Sequence, residues 1–95
     1  MIGIVATLKV KDGSNAEFEA ACHEHMKNVK ANEPGNLGYH FVRSRADPNT
    51  YKVLEIYQDE AALQAHRDAQ HQRDFGGKVG PHLAGRPEIE LLDGI

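Results

Sequence analysis

Histidine and glutamate residues supply the side chains of this sequence that could carry out acid–base chemistry. The chain has six histidines, and an imidazole can accept or release a proton near neutral pH. His66 follows Leu63 by three residues, which places both on the apolar stripe of a predicted helix. We therefore consider His66 a candidate general base. The alternative is a semi-buried histidine with a structural role.

Glu55 and Tyr57 are candidates for the same site, because alternate residues of a strand share one face. If that face packs against the helices, the Glu55 carboxylate needs a partner, and a histidine or an arginine would serve. Glu55 then orients or charges His66, or binds a substrate hydroxyl. Alternatively, Glu55 forms a structural hydrogen bond that ties its strand to the helix.

The remaining histidines are placed less favourably. His71 lies five residues after His66, about 140° around a continuous helix, so it reaches the same site only if the helix bends or ends between them. His23 and His25 are too close on one helix to chelate one ion, and Cys22 with His25 would supply two ligands only. No cysteine pair and no HExxH spacing occurs, so the sequence predicts no metal site.

The elements that position these residues follow from the hydrophobic period, which alternates between strand and helix values. A capping box formed by Ser14 and Glu17 predicts the start of the first helix, and Asp47-Pro48-Asn49 predicts a hairpin turn. The predicted elements are a strand over 2–10, a helix from 14 to about 32, strands over 37–44 and 51–57, a helix from 60 to about 70, and a strand over 88–92.

The end of the second helix is less regular. Residues 71–75 favour a further helical turn, and the glycine-rich segment 76–81 predicts a break. Gly76, Gly77 and Gly80 are typical of either a mobile flap or a simple turn. In the hairpin, we expect one face of the strand 37–44 to line a pocket beneath the helices and the other face to contact a second copy of the chain. In one register of the hairpin, Arg43 pairs with Glu55 across the strands.

The order β-α-β-β-α-β predicts a ferredoxin-like α+β fold. Two helices would cover one face of a four-stranded antiparallel sheet. The first strand is apolar on both faces, since Ile4, Ala6 and Leu8 alternate with Val5. A second copy of the same sheet is the simplest cover for the other face, so we expect a homodimer.

Composition excludes several classes of protein. The 95 residues predict a single domain over 1–95. The net charge of −3 argues against a nucleic-acid partner, and no apolar run approaches the ~18 residues of a membrane helix. The single cysteine, Cys22, suits a reducing compartment, so we expect a cytoplasmic protein.

Several segments resemble one family when they are taken together and in order. They are Glu33-Pro34-Gly35 with Tyr39, then Glu55-Ile56-Tyr57, then 61–66 ending in His66 and followed by His71. The sequence resembles the antibiotic biosynthesis monooxygenase family over nearly its whole length. The segment 82–92 is also similar to bacterial members regarded as quinol monooxygenases.

The resemblance implies a dimeric α+β barrel and, for some members, oxidation of quinols or phenols by dioxygen without a cofactor. The haem-degrading branch uses an asparagine on the first strand and a tryptophan on the second helix. Ala6 and Thr7 stand on the first strand here, His66 takes the tryptophan position, and the chain has no tryptophan. We therefore expect no haem and no other cofactor.

The resemblance and the residues together predict the site and its reaction. We expect a cofactor-independent monooxygenase of a small quinol or phenol. Two alternatives remain: an isomerase or other acid–base enzyme acting on a small oxygenated metabolite, and a non-catalytic dimer that binds a small ligand. The predicted catalytic residues are His66 and Glu55, and the predicted substrate-binding residues are Tyr57, His71, His25, Tyr39, Phe41 and Phe75.

Overall fold

A four-stranded antiparallel sheet with helices packed on one face forms the structure, a computed structural model that describes residues 1–95. This confirms the predicted ferredoxin-like α+β fold, with one more helix than expected. The elements are β1 (Ile2–Lys9), α1 (Asn15–Asn32), β2 (Asn36–Arg43), β3 (Thr50–Tyr57), α2 (Glu60–Asp68), α3 (Gln70–Val79), a 3₁₀ turn (Gly80–His82) and β4 (Glu88–Asp93). None of these helices has the length and apolar character needed to cross a membrane.

The strand register determines which side chains face the helices. The sheet order is β2-β3-β1-β4, and Glu55 lies between Tyr39 on β2 and Ile4 on β1. Tyr39, Phe41, Glu55 and Tyr57 therefore share the helix-covered face. Arg43 lies opposite Tyr51 and forms an ion pair of 3.4 Å with Glu19. The register in which Arg43 pairs with Glu55 is therefore wrong.

The core lies between the sheet and the helices. Its fully buried large side chains include Phe18 and Val29 from α1, Tyr57 from β3 and Leu63 from α2. Burial of one such side chain contributes about 1.5–3 kcal/mol, so these residues fix the helices against the sheet. The buried stripe of α1 also includes a polar residue, His25, between Cys22 and Val29.

The first turn of α1 differs from the predicted capping box. A capping hydroxyl needs extended backbone at the N-cap, whereas Ser14 adopts helical angles (φ −95°, ψ 0°) and makes no side-chain cap. Its Oγ lies 3.1 Å from His82 Nδ1 instead, and Glu17 lies 3.1 Å from His82 Nε2. The two residues of the predicted box therefore attach the 3₁₀ turn to α1.

The segment after α2 also differs from the prediction. Helix α2 ends at Asp68, Ala69 is extended (φ −68°, ψ 141°), and α3 then continues through Gly76 and Gly77. The predicted break over 76–81 is wrong for residues 76–79, which belong to α3. Phe75 and Val79 are both buried, and their packing outweighs the cost of about 1 kcal/mol for each helical glycine.

The other face of the sheet carries no helix. Val42, Leu54 and Leu92 lie on this face, with 42%, 42% and 43% of their surface exposed. Lys52 and Glu90 also lie on it. The face is thus apolar in part, with charged side chains between the apolar ones.

Candidate functional site

Three chain segments bring Glu33, His66 and His71 together beneath the helices. Glu33 caps the C-terminus of α1 and donates its backbone N–H to the Val29 carbonyl. His66 lies in the last turn of α2, and His71 in the first turn of α3. The Glu33 carboxylate accepts hydrogen bonds from His66 Nδ1 at 2.9 Å and from His71 Nε2 at 2.5 Å.

The contact with Glu33 sets the tautomer of His66. A carboxylate only accepts hydrogen bonds, so Nδ1 of His66 carries the proton and Nε2 of the neutral ring has a free lone pair. Both side chains are buried, with 4% of His66 and 8% of Glu33 exposed. The ring is therefore held in the orientation that a general base requires, with its basic nitrogen directed away from Glu33.

Glu55 lies on the opposite side of His66. Its Oε1 is 3.9 Å from His66 Nε2, beyond hydrogen-bond distance. The Tyr57 hydroxyl donates to the same oxygen at 2.7 Å. Burial raises the pKa of the Glu55 carboxyl, while Tyr57 and His66 oppose the rise and Glu33 adds to it. Glu33, and not Glu55, is thus the residue that orients His66.

Two tyrosines near His66 remain protonated. Burial raises the pKa of Tyr57 and of Tyr39 far above the ordinary value, and the neighbouring Glu55 raises both further. The Tyr57 side chain is completely buried. Tyr57 therefore supports the site from behind through Glu55 and does not line an open pocket.

His25 contributes an unusual buried imidazole. Its ring stacks on Phe75 with 4.3 Å between centroids and a 6° tilt. Neither ring nitrogen has a hydrogen-bond partner. The pKa of His25 is lowered to about 4, mainly by burial and also by the nearby His66 and His71, while Gln72 and Glu33 oppose the shift. His25 is therefore neutral at pH 7.

The predicted site residues lie in one aromatic cluster. Ring centroids of neighbouring members are 4.3–5.7 Å apart along the chain of contacts that joins them. Phe41 lies at its edge, 5.6 Å from Phe75, and Cys22 lies in the core among apolar residues. The residues that the structure brings together are His25, Tyr39, Phe41, Glu55, Tyr57, His66, His71 and Phe75.

Two of the clefts that reach the cluster from outside are bordered by Glu33. One cleft of about 320 Å³ also touches His71 and the small residues Gly35, Ala62 and Ala65. Its volume lies in the range that holds small ligands. A Cβ on Gly35 would lie 2.5 Å from the Ala62 Cβ, so only glycine lets this turn approach α2 so closely.

The second cleft, of about 570 Å³, runs between α1 and β2. It is bordered by Glu33, Val29, Leu37 and Tyr39, among others. Tyr39 connects this cleft to the aromatic cluster, because its ring centroid is 5.6 Å from that of His66.

Glu33 is a site residue that the sequence pattern does not reveal. In the sequence it stands in the Glu-Pro-Gly segment between α1 and β2, and no short-range pattern links it to His66. A carboxylate that ends a helix and precedes a tight turn faces inward here, where it meets two histidines from elements far along the chain. One signal could have identified it: His66 and His71 were both site candidates, but Glu55 was the only carboxylate predicted to bind a histidine.

The same three residues offer ligand atoms for a metal ion. One atom each of Glu33, His66 and His71 lies within 4.8 Å of the others. The sequence predicted no metal site because no local spacing indicates one, whereas the fold assembles this set from three elements.

Comparisons with known proteins agree with this structure. The sequence pattern of the antibiotic biosynthesis monooxygenase family matches residues 1–78. A Bacillus subtilis protein named "Putative monooxygenase YcnE" is 32% identical over 87 residues, which are 92% of this chain and 90% of that protein.

Solved structures are similar as well. A Caulobacter crescentus structure described as a "putative antibiotic biosynthesis monooxygenase" is 45% identical with a TM-score of 0.96, and the match covers 99% of this chain and 89% of that one. A Nitrosomonas europaea structure with the same description has 22% identity and a TM-score of 0.90 over 100% and 99% of the two chains, and it supports the fold alone. The family pattern and the 32% and 45% identities lead to one assignment: this chain belongs to the antibiotic biosynthesis monooxygenase family.

Proposed function

We propose that the chain is a cofactor-independent monooxygenase that oxidises a small quinol or phenol with dioxygen. Membership of the family supports a monooxygenase role in general terms. The observation that carries the finer proposal is the buried His66, whose Nδ1 is bound to Glu33 at 2.9 Å while Nε2 has a free lone pair among aromatic rings. This arrangement is suited to removing a phenolic proton.

The proposed reaction balances without a further reductant. His66 Nε2 accepts the phenolic proton, and the phenolate transfers one electron to dioxygen. The resulting aryloxyl radical and superoxide combine, forming a carbon–oxygen bond at the ring. The oxygen–oxygen bond then breaks with loss of water. In total, one quinol and one dioxygen give one hydroxylated quinone and one water, and the substrate supplies all four electrons.

The surrounding residues favour each part of this reaction. The Glu33 carboxylate stabilises the imidazolium that forms when His66 accepts the proton. Tyr39 and Phe75 present aromatic faces, and a stacked aromatic pair contributes about 0.5–1.5 kcal/mol beyond burial. The protonated Tyr57 donates to Glu55 at 2.7 Å, so that the carboxyl with a raised pKa is held 3.9 Å from His66 Nε2.

Access to His66 requires an opening, because only 4% of its surface is exposed. We expect substrate to reach Nε2 through the cleft of about 570 Å³ that Tyr39 borders. Tyr39 lies beside Glu55 in the sheet, and Glu55 lies on the Nε2 side of His66.

A second copy of the chain is the partner that we propose for the uncovered sheet face. Val42, Leu54 and Leu92 expose apolar surface there, and the pairing of two such faces would bury it. Sedimentation should give about twice the chain mass of 10.5 kDa, and Leu54→Arg should shift the protein towards monomer. A monomeric wild type at micromolar concentration would contradict this proposal.

We also propose a cytoplasmic location, which the free thiol of Cys22 favours.

Oxygen uptake with a panel of hydroquinones and naphthoquinols tests the proposed reaction. His66→Ala should reduce the rate by about 10²–10⁴, or roughly 3–5 kcal/mol of barrier. Glu33→Gln should cost less, because an amide still contacts Nδ1 but no longer stabilises the imidazolium. His23→Ala is the matched control, since this histidine lies on the exposed side of α1.

The outcomes of the oxygen assay distinguish a wrong catalytic base from a wrong reaction. Circular dichroism must first show that each variant is folded. If wild type exceeds spontaneous autoxidation and His66→Ala does so equally, His66 is not the base. If wild type never exceeds the spontaneous rate on any quinol, the proposed oxidation is wrong.

Acid–base catalysis without oxygen is the second candidate function. The observation that favours it is a basic imidazole nitrogen only 3.9 Å from a carboxyl whose pKa is raised by burial. One group would remove a proton and the other would return one, as in an isomerase. Exchange of solvent deuterium into a small hydroxycarbonyl compound, lost in His66→Ala and without oxygen uptake, would support this function.

A further inference from the structure

The Glu33 cluster has a second chemical capacity that base catalysis does not use. His66 Nδ1 and His71 Nε2 both contact the same carboxylate oxygen of Glu33, at 2.9 and 2.5 Å. All three ligand atoms lie within 4.8 Å of one another. Two imidazoles and one carboxylate are a ligand set that zinc sites use, with a remaining position left open.

The distances require little rearrangement for an ion to enter. Bonds of about 2.0–2.1 Å in a tetrahedral zinc site place neighbouring ligand atoms about 3.3 Å apart. The two contacts to Glu33 must therefore lengthen by less than about 1 Å, and the two imidazole nitrogens, which lie within 4.8 Å of each other, must approach by up to about 1.5 Å. The three residues come from the end of α1, the end of α2 and the start of α3. These helix ends, and not the strands, carry the three ligand residues that must shift.

A second observation points to the same place. His25 is 2% exposed, and neither of its ring nitrogens has a hydrogen-bond partner. Its ring centroid lies 5.7 Å from that of His71 and 6.1 Å from that of His66. Buried polar groups are nearly always paired. His25 therefore adds a third buried imidazole to the surroundings of the three ligand atoms.

We propose that Glu33, His66 and His71 bind one divalent transition-metal ion, with Zn²⁺ the preferred class, and that His25 borders the open coordination position. A metal bound at Nδ1 requires the remaining proton of neutral His66 to be on Nε2. That nitrogen then has no free lone pair. Metal binding and the base role of His66 therefore exclude each other, and the ion acts as an inhibitor of any reaction that uses this base.

Cobalt binding tests the site without any substrate. The full chain is freed of metal with a chelator and then titrated with Co²⁺, whose visible absorption reports low-coordinate nitrogen and oxygen ligands; Zn²⁺ is then added as a competitor. We expect saturation at one ion per chain and displacement of Co²⁺ by Zn²⁺, which follows the usual order of affinities for these two metals.

Three variants locate the ion. His71→Ala is the main variant, because its partly exposed ring contributes little to the core. It should weaken Co²⁺ binding by about 100-fold or more, since even the loss of a residue that only supports a ligand costs 10–100-fold. Glu33→Gln should weaken it too, and His23→Ala should leave it unchanged. Circular dichroism without metal verifies that each variant is folded.

The outcomes are distinguishable from those of the oxygen assay. No saturable Co²⁺ binding by wild type would overturn the proposed site. So would binding that His71→Ala and Glu33→Gln leave unchanged, because the ion would then lie elsewhere. Failure of quinol oxidation does not affect this test, since the spectrum of Co²⁺ requires no turnover.

Discussion

Protonation of His25 should destabilise the chain as the pH falls below about 6.5. Burial lowers its pKa in the folded chain from 6.5 to about 4. The unfolded chain therefore binds a proton between these pH values that the folded chain does not bind. The stability that comes from the neutral ring is fully present above pH 6.5 and is lost as the pH falls towards 4.

The magnitude follows from the two pKa values. A difference of one in pKa corresponds to about 1.4 kcal/mol, so the full loss amounts to about 3 kcal/mol for a ring that is only 2% exposed. Glu55 has the opposite effect, because burial raises its pKa. The stability that comes from the protonated Glu55 is fully present below pH 4.5, the pKa of this carboxyl in the unfolded chain. It is lost as the pH rises through the higher pKa of the folded chain.

A comparison with His25→Phe separates these two residues. Phenylalanine keeps the stacking on Phe75 and does not titrate, while Glu55 remains in both proteins. Urea unfolding would be followed by circular dichroism from pH 4.5 to 8, at one protein concentration and with a chelator present. As the pH falls from 8 to 4.5, the free energy of unfolding of wild type should decrease by about 2–3 kcal/mol more than that of the variant. Parallel pH profiles for the two proteins would refute the assignment of a buried neutral imidazole.

Three further predictions concern stability and reactivity. Gly35→Ala should cost about 1–3 kcal/mol in urea unfolding, because its Cβ would lie 2.5 Å from the Ala62 Cβ; unchanged stability would contradict this close approach. Asp59→Ala should cost about 1 kcal/mol, since its carboxylate accepts from the Ala62 N–H at 2.8 Å. The Cys22 thiol should react with a thiol reagent only after unfolding, because burial raises its pKa to about 12; fast reaction of the native chain would show that it is accessible.

The fold was predictable because its signals are local. Alternation of apolar residues places β1 and β3 within one or two residues of their observed bounds. The Asp47 carboxylate bonds Asn49 and Thr50 in the hairpin turn, which is the interaction that Asp favours at such positions. These features depend on residues near one another in sequence, so periodicity and turn chemistry are enough to identify them.

The partner of His66 was not predictable, because it depends on strand register and on where α1 ends. Glu33 precedes His66 by 33 positions, and no short-range pattern connects them. Glu55 was the predicted partner, since its position on an inward strand face follows from alternation. The structure places Glu55 at 3.9 Å and Glu33 at 2.9 Å from the ring. Both carboxylates face His66, and only three-dimensional distances distinguish their roles.

The shared carboxylate of the site depends on the extended backbone at Ala69. In one continuous helix, His66 and His71 would lie about 140° apart and could not both face Glu33. The turn at Ala69 (ψ 141°) lets α3 start in a new direction. The prediction ends the second helix near residue 70, but no glycine or proline marks this position, so nothing local sets the direction of the segment that follows. Phe75 and Val79 of α3 are buried in the core. His71, in the first turn of α3, binds Glu33. Tertiary packing thus outweighs local helix propensity at the position where the site is assembled.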